Sequence, residues 1–375
     1  MYNDTDDILI IGGGLAGLCN AICLSQTGLN VHVIEQKTYP AHKVCGEYIS
    51  NETLPFLQSI QINIAKLRPA RISRLMLSSP SGSSVNLPLG LGGFGLSRYT
   101  LDHFLYMHAL QYGVRFSLNE RVDSIVFHDD RFTVQLASGR FEKSKIVIAG
   151  YGKRSNLDKF LQRPFISKRS PYVGVKYHIR TDFPRDLIAL HNFEGGYCGI
   201  SAIENGQYCL CYLSNRSNLK EAGSIEALEE LILKKNPYLK HILENSEFLY
   251  DKPLVINEIS FESKQPVENH LLMCGDAAGM ITPLCGNGMA MAIHSAKLLS
   301  GLIIRYYRNP DFGRDHLEHY YQKEWNRLFA SRISRGRRIQ QLFGRKLISN
   351  LSIQSLRLLP PVANMIVKST HGKPF

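Results

Sequence analysis

Tryptophan is almost absent from this chain, with Trp325 the only one in 375 residues. None of the eight cysteines (Cys19, Cys23, Cys45, Cys198, Cys209, Cys211, Cys274, Cys285) stands in a CxxC pair, so neither a zinc ribbon nor a CxxC redox motif is encoded. Several lie in apolar runs, which predicts reduced, mostly buried thiols in a cytoplasmic protein. No apolar stretch reaches 18 residues, so no bilayer-spanning helix is expected. The acidic start Met1 to Asp7 leads straight into an apolar run, which predicts that no signal peptide is present. Thirty glycines and 16 prolines are ordinary amounts and exclude collagen-like and low-complexity architectures. Acidic residues are the scarcer charge: 32 against 44 basic ones leave a formal +12, which suits an anionic partner. No nucleic-acid-binding module accompanies that charge, so nucleic acid is not expected. With 44% hydrophobic residues the chain has enough apolar material for a large core, divided between about two domains at roughly 100–200 residues each.

What is present begins with a nucleotide-binding unit. Residues 7 to 11 read as a buried strand, followed by Gly12-Gly13-Gly14-Leu15-Ala16-Gly17 and an apolar-periodic helix to about Thr27. Gly12 permits the tight turn, Gly14 lets a pyrophosphate approach the backbone, and Gly17 lets the helix pack on the strand. The helix start then offers free amides and a positive dipole end to the phosphates. A second strand, Val31 to Ile34, delivers Glu35 and Gln36 to where an acidic residue receives the adenosine ribose hydroxyls.

Three distant segments extend the unit. One is Gly95 to Asp102, which opens an amphipathic helix running to about Tyr112. Another is a hairpin from about Arg121 to Leu136, with a turn at Asp129-Asp130, followed by a strand from Lys145 to Ala149 and the turn Gly150-Tyr151-Gly152. The last is Leu271-Leu272-Met273-Cys274-Gly275-Asp276-Ala277-Ala278-Gly279, a buried strand ending in an acidic turn. With these motifs in this order, the sequence resembles the FAD-dependent superfamily that includes para-hydroxybenzoate hydroxylase, the geranylgeranyl reductases and the flavin-dependent halogenases. The likeness runs from residue 7 to about 300.

That resemblance implies FAD as cofactor, with NAD(P)H or another electron donor as reductant. It implies ribityl contact for Asp276, close backbone approach at Gly150, Gly275, Gly286, Gly288 and Met289, and a place beside the FAD for Arg98. Asp102 is expected to tie the start of its helix to nearby backbone. The long helix from Ala290 to about Tyr306 would turn its dipole end to the reduced flavin. The loop Lys43 to Ser50 resembles the cysteine-glycine loop of the reductases, which lies against the isoalloxazine ring. It departs from that pattern because Glu47 and Tyr48 stand where further glycines are usual. Cys45 reads equally as a reactive thiol or a packing residue, and Cys45 and Glu47 are the candidate catalytic residues. Residues 150 to 154 also depart, since Tyr151-Gly152-Lys153-Arg154 replaces the Asp-Gly pair that hydroxylases use with NAD(P)H. Lys153 and Arg154 read as a solvated pair, with phosphate contact the alternative.

From about Ser170 to Glu262 the pattern becomes alternating strands with turns at Gly195-Gly196 and Asn205-Gly206, then helical stretches. In the superfamily this sheet covers the flavin. Phe193, Tyr197, Ile200, Tyr208, Tyr212 and Val255 suggest an apolar, aromatic-walled pocket, with ordinary sheet core as the alternative. The expected fold is α/β: a Rossmann-type FAD-binding domain with a glutathione-reductase-like parallel sheet (residues 1–170 and 263–310), an inserted, mostly antiparallel substrate sheet (171–262) and a helical C-terminus (311–375). That last segment carries Arg327, Arg332, Arg335, Arg337, Arg338, Arg345 and Lys346, then an apolar stretch from Leu347 to Val367. It reads as a solvated basic face, or as a contact for an anionic membrane or an acyl carrier that would suit a lipid-like substrate.

Three functions compete. The first is a monooxygenase that hydroxylates an apolar aromatic or polyketide-like molecule through a flavin hydroperoxide. The second is a reductase saturating alkene bonds of an isoprenoid or lipid. The third is a non-redox cyclase or isomerase. The halogenase branch is disfavoured, because its signature needs two tryptophans.

Overall fold

The computed structural model describes residues 6–375 except 169, 258, 283–285, 343–345, 360, 362, 364, 366–370 and the side chains of 6, 341, 342, 346 and 347. The expectation of a buried thiol at Cys285 therefore lies outside the described residues, as do those for the side chains of Arg345 and Lys346.

The first part of the chain forms β1 (Asp6–Ile11), α1 (Leu15–Ser25), β2 (Val31–Glu35), β3 (Tyr48–Ser50), α2 (Leu54–Ser59), β4 (Ala70–Ser78), β5 (Ser84–Gly95) and α3 (Arg98–Gln111). It continues through β6 (Arg115–Leu118), β7 (Val122–His128), β8 (Arg131–Leu136), β9 (Phe141–Ala149) and α4 (Asn156–Phe160). Next come β10 (Tyr172–Arg180), β11 (Leu187–Phe193), β12 (Gly196–Ala202), β13 (Tyr208–Asn215), α5 (Arg216–Ala222), α6 (Ile225–Leu231) and α7 (Pro237–Glu244). The remainder is β14 (Glu247–Phe248), β15 (Leu254–Asn257), β16 (Val267–Glu268), β17 (Leu271–Met273), α8 (Gly288–Arg308), α9 (Arg314–Trp325), α10 (Ser331–Leu342) and α11 (Lys346–Leu358).

Two sheets organise these elements. The first has eight strands around the path β16-β17-β9-β1-β2-β6, with β8 joined to β9 and β7 to β8. Its centre is parallel: Ile8 pairs with Val31 on one side and Ile146 on the other, and all three side chains are buried. Parallel strands covered on both faces read as continuous apolar runs, which is why Ile8-Leu9-Ile10-Ile11 and Ile146-Val147-Ile148-Ala149 were legible. Helices α1, α3, α8 and α9 contribute to the same core. Because β1 lies between β2 and β9, connections leave it in opposite directions, and a crevice opens beyond the strand ends at Gly12 and Gly150.

The second sheet has nine strands in the order β14-β10-β13-β12-β11-β4-β5-β3, with β15 beside β10. It is antiparallel except where β11 runs parallel to β4. This corrects the expected domain boundaries. Residues 48–95, assigned from sequence to the first domain, supply β3, β4 and β5 to the second sheet. The crossover escapes a reading by sequence order, because Leu187 to His191 pair with strand residues more than a hundred positions earlier, Arg74 to Ser78. Turns after β1, β9 and β17 of the first sheet and strands of the second border one cavity.

Candidate functional site

The glycine turn is built as its spacing demands. Gly12 has φ +100°, and a Cβ there would lie 2.6 Å from the Tyr151 Cα. Gly17 brings α1 against β1 so closely that a Cβ would meet the Gly12 carbonyl oxygen at 2.0 Å. Gly14 differs, because the nearest atoms to a Cβ there are the Arg98 guanidinium at 3.6 Å and the Lys43 ammonium at 3.9 Å. An open backbone faced by two cations at a helix start is a cradle for a diphosphate.

Those cations are held in place. Arg98 makes a bidentate pair with Asp102, both bonds 2.7 Å, and Lys43 reaches the same carboxylate at 3.1 Å. Asp102 therefore tethers the two basic groups rather than tying the helix start to backbone, which its sequence position had suggested. It also removes the penalty of a cation at a helix N-terminus. Glu35 accepts from the Gly13 N–H at 2.8 Å and the Lys37 N–H at 3.0 Å, so its carboxylate is fixed at the end of β2. Gln36 is exposed and away from the cavity.

Beyond the cradle lies a cavity of about 880 Å³. Of the sequence candidates, Gly14, Leu15, Ala16, Cys45, Glu47, Arg98, Gly150, Gly275, Asp276, Gly286, Gly288 and Met289 line it. Gly12, Gly17 and Glu35 support it from behind. The Asp276 carboxylate has no hydrogen-bonding partner among the described residues, while its backbone oxygen accepts from Lys264 at 2.9 Å. Lys264 also donates to the Lys153 carbonyl at 2.8 Å, so one ammonium joins the two turns that flank the crevice. Burial, partly offset by Asp276 and Asp158, pulls the Lys264 amine down to about 8. Lys153 lines the cavity and donates to the Val44 carbonyl at 3.3 Å, which corrects its reading as a solvated residue.

The Cys45 loop is locked by the second sheet. Cys209 on β13 donates its thiol to the Cys45 carbonyl, and Ser201 on β12 donates to the Gly46 carbonyl. Glu47 sits at φ +56° with no exposed surface. Its carboxylate accepts from Lys176 Nζ at 2.5 Å, from the Arg98 N–H at 2.8 Å and from His178 Nε2 at 2.6 Å. Burial alone would raise its pKa, but the Lys176 charge and the His178 hydrogen bond outweigh it and bring the group to about 2. This corrects Glu47 as a catalytic acid: it holds no transferable proton near neutral pH and acts as the anchor of the loop.

Glu47, His178 and Cys209 also bring metal-ligand atom types within 4.8 Å of one another. The Lys176 ammonium already supplies positive charge to that carboxylate, and burial pushes the Cys209 thiol up, away from the thiolate a metal requires. The cluster is an ion pair with a histidine attached.

The far wall of the cavity is aliphatic. Leu75, Leu77, Leu89, Ile188, Leu190 and Leu213 line it, three of them from the unforeseen β4 and β5. Tyr197, Ile200 and Tyr212 line it as expected, whereas Phe193 and Tyr208 belong to the core of the second sheet and Val255 is exposed. The aromatic-walled expectation thus holds for Tyr197 and Tyr212 alone, while Phe193 and Tyr208 fill sheet core.

The residues present fit FAD. Gly14 leaves backbone open to a diphosphate, the Glu35 carboxylate is fixed beside the glycine turn at the end of β2, and the Asp276 carboxylate stands at the cavity wall with no partner among the described residues. Residues 5–172 match the family described as an FAD binding domain. The chain is 25% identical over 343 residues to the digeranylgeranylglycerophospholipid reductase of Methanosarcina acetivorans, covering 86% of this chain and 81% of that one. Among solved structures it resembles the flavin-dependent halogenase CmlS, with TM-score 0.72, 20% identity and coverage of 88% of this chain and 63% of that chain. It also resembles PqsL, a probable FAD-dependent monooxygenase from Pseudomonas aeruginosa, with TM-score 0.70, 16% identity and coverage of 92% and 99%. At these identities the structural likenesses establish the fold. No helix among the described residues is long and apolar enough to cross a membrane.

Proposed function

We propose that this chain, a member of the FAD-dependent oxidoreductase superfamily, saturates alkene bonds of an isoprenoid or other lipid-like substrate. The observation that carries the reading is the aliphatic wall beside the flavin crevice, formed by Leu75, Leu77, Leu89, Ile188, Leu190 and Leu213. Branched aliphatic side chains match a flexible hydrocarbon by apolar burial without demanding ring stacking. The similarity to a reductase acting on a digeranylgeranyl lipid supports the same class.

FAD held there, once reduced by NAD(P)H or another electron donor, would supply the hydride. The chain's own residues hold the dinucleotide through Gly14, Arg98, Lys43 and Asp276, exclude water with the aliphatic wall, and present Cys45 to the cavity as a proton donor. Glu47 cannot take that role, because its carboxylate is ionised and already accepts three hydrogen bonds.

A second reading is oxygenation of the same apolar substrate, with NAD(P)H or another donor as reductant. What favours it is the shortage of acids: oxygenation needs a dry cavity but no carboxylic acid in its wall, and the one buried glutamate there carries no proton. A cyclase or isomerase has no specific observation in its favour. The halogenase signature stays incomplete, since Trp325 packs against Phe329 and Gly279 in the core. Mass spectrometry of the product from the reduced, FAD-loaded enzyme decides: a gain of two hydrogens supports saturation, and a gain of one oxygen replaces it with hydroxylation.

A further inference from the structure

Residues 326–375 contain ten lysines and arginines and no aspartate or glutamate, so ten of the chain's twelve net positive charges sit in its last fifty residues. The segment is moored to the rest of the molecule. Arg332 bonds to the buried Glu52 carboxylate at 3.1 Å, the Gly372 N–H donates to the same carboxylate, and Phe375 stacks on His294 at 3.8 Å. Ile353 of α11 is fully buried, and α11 lies against β5.

The outer side of this segment exposes large apolar side chains close together in sequence. Leu351, Leu358, Leu359 and Met365 are exposed by 64, 79, 54 and 63%. Exposed cations stand among them at Arg335, Arg338 and Arg357. The aliphatic cavity also reaches the surface here, for its lining continues through Ile348, Ser352 and Leu356 to the exposed Arg335, Arg338 and Leu351. Uncovered leucines and a methionine interleaved with arginines, and free of acidic residues, match an anionic bilayer: the cations meet headgroups and the apolar side chains enter the acyl boundary. An acidic carrier protein would use the charge but leave the exposed leucines without a partner.

We propose that the C-terminal helical segment is a docking surface for an anionic lipid bilayer, and that the cavity opens onto that bilayer. An apolar substrate would then pass from lipid to the flavin crevice along the aliphatic lining without crossing water. The inference goes beyond the proposed reduction and holds for oxygenation equally, since it concerns access rather than chemistry.

The test uses the full-length, FAD-loaded protein, sedimented with phosphatidylcholine vesicles that either lack phosphatidylglycerol or contain about 30% of it. The expected result is at least roughly tenfold tighter binding to the anionic vesicles, falling as salt shortens the screening length. Leu358→Gln/Leu359→Gln/Met365→Gln should weaken binding by a further order of magnitude while FAD content and thermal midpoint stay unchanged. Arg357→Gln/Lys373→Gln should reduce the preference for anionic lipid. Equal affinity for neutral and anionic vesicles, binding unaffected by the triple substitution, or capture by an acidic acyl carrier with no vesicle binding would each overturn the proposal. The wild-type comparison decides even if a variant misfolds. Product mass is measured separately, so failure of docking and failure of the reductase reading are distinguishable.

Discussion

Lys176 on β10 and Glu47 in the flavin-side loop form an ion pair of 2.5 Å in which neither side chain is exposed. The pair joins the second sheet to a loop whose backbone stands in the left-handed region at Glu47. Lys176 also donates to the Lys43 carbonyl at 3.1 Å, so one side chain pins both ends of the loop carrying Cys45. Removing one partner from a buried pair leaves an uncompensated charge, at a cost of about 3–5 kcal/mol. Lys176→Met should therefore destabilise strongly in denaturant titrations, and Lys176→Met/Glu47→Gln should recover much of the loss. A double variant no more stable than the single one would show that the pair is not what holds the loop.

The same carboxylate makes a pH prediction. Its pKa falls from an ordinary 4.5 to about 2 on folding. A depressed carboxylate contributes stability that is complete above the unfolded value and is lost as pH falls through the folded one. The loss attributable to Glu47 belongs between pH 4.5 and 2. Glu47→Gln should flatten the fall in stability across that window relative to wild type. Parallel curves for the two proteins would count against the assignment.

Gly14 and Gly17 separate cofactor binding from folding. Gly17→Val drives a Cβ to 2.0 Å from the Gly12 carbonyl and should prevent folding, whereas at Gly14 the nearest atom lies at 3.6 Å. Gly14→Val should keep its thermal midpoint without cofactor and lose FAD, because the added side chain fills the diphosphate cradle. Visible absorbance after desalting provides the check, and full FAD retention by Gly14→Val would place the diphosphate elsewhere.

Asp276 lines the cavity with its carboxylate free of protein partners among the described residues. Its replacement by alanine should weaken FAD by about 1–3 kcal/mol, the usual cost of losing a hydrogen bond to a charged group. The Lys264 hydrogen bond goes to the Asp276 backbone oxygen and does not need the carboxylate, so the fold should persist. Isothermal titration of the apoprotein measures the effect, and an unchanged affinity would remove Asp276 from the site.

Local chemistry made the first sheet legible and topology hid part of the second. The run at residues 7–11, the Gly12 to Gly17 turn, Asp276 and α7 at Pro237 each carry their signal within a few residues. Strands β4 and β5 do not: Ala70 to Ser78 alternates loosely, and although it pairs with the adjacent β5, only the pairing of Leu75 with Ile188 places both in the second sheet. Missing that pairing also hid Leu75, Leu77 and Leu89, and with them the aliphatic character of the cavity. Lys176 was invisible for a related reason, since a lysine inside an apolar strand gains meaning only when Glu47 is brought to it. Lys264 likewise lies in a loop that reads as solvated until the Lys153 and Asp276 carbonyls converge on it.

Cys45 distinguishes the two readings of the chemistry. Its carbonyl is fixed by Cys209, that of Gly46 by Ser201, and Glu47 anchors the next position, so the Cys45 side chain is presented to the cavity by a loop with little freedom. The neighbouring Tyr48 also lines the cavity, but burial followed by the charge of Glu52 pushes its phenol well above the ordinary range and makes it the weaker acid. If saturation requires a proton from the wall, Cys45→Ser should cost roughly 10² to 10⁴ in single-turnover rate, the usual worth of a positioned acid, while Tyr48→Phe costs much less. FAD content should stay near that of wild type in both variants, because neither side chain builds the diphosphate cradle. If the wall instead only excludes water, Cys45→Ser retains most turnover and chiefly raises the share of electrons lost to oxygen without product. Near-normal saturation by Cys45→Ser would remove the thiol from the reductase mechanism, and oxygenated product from the same variant would transfer the site to the second reading.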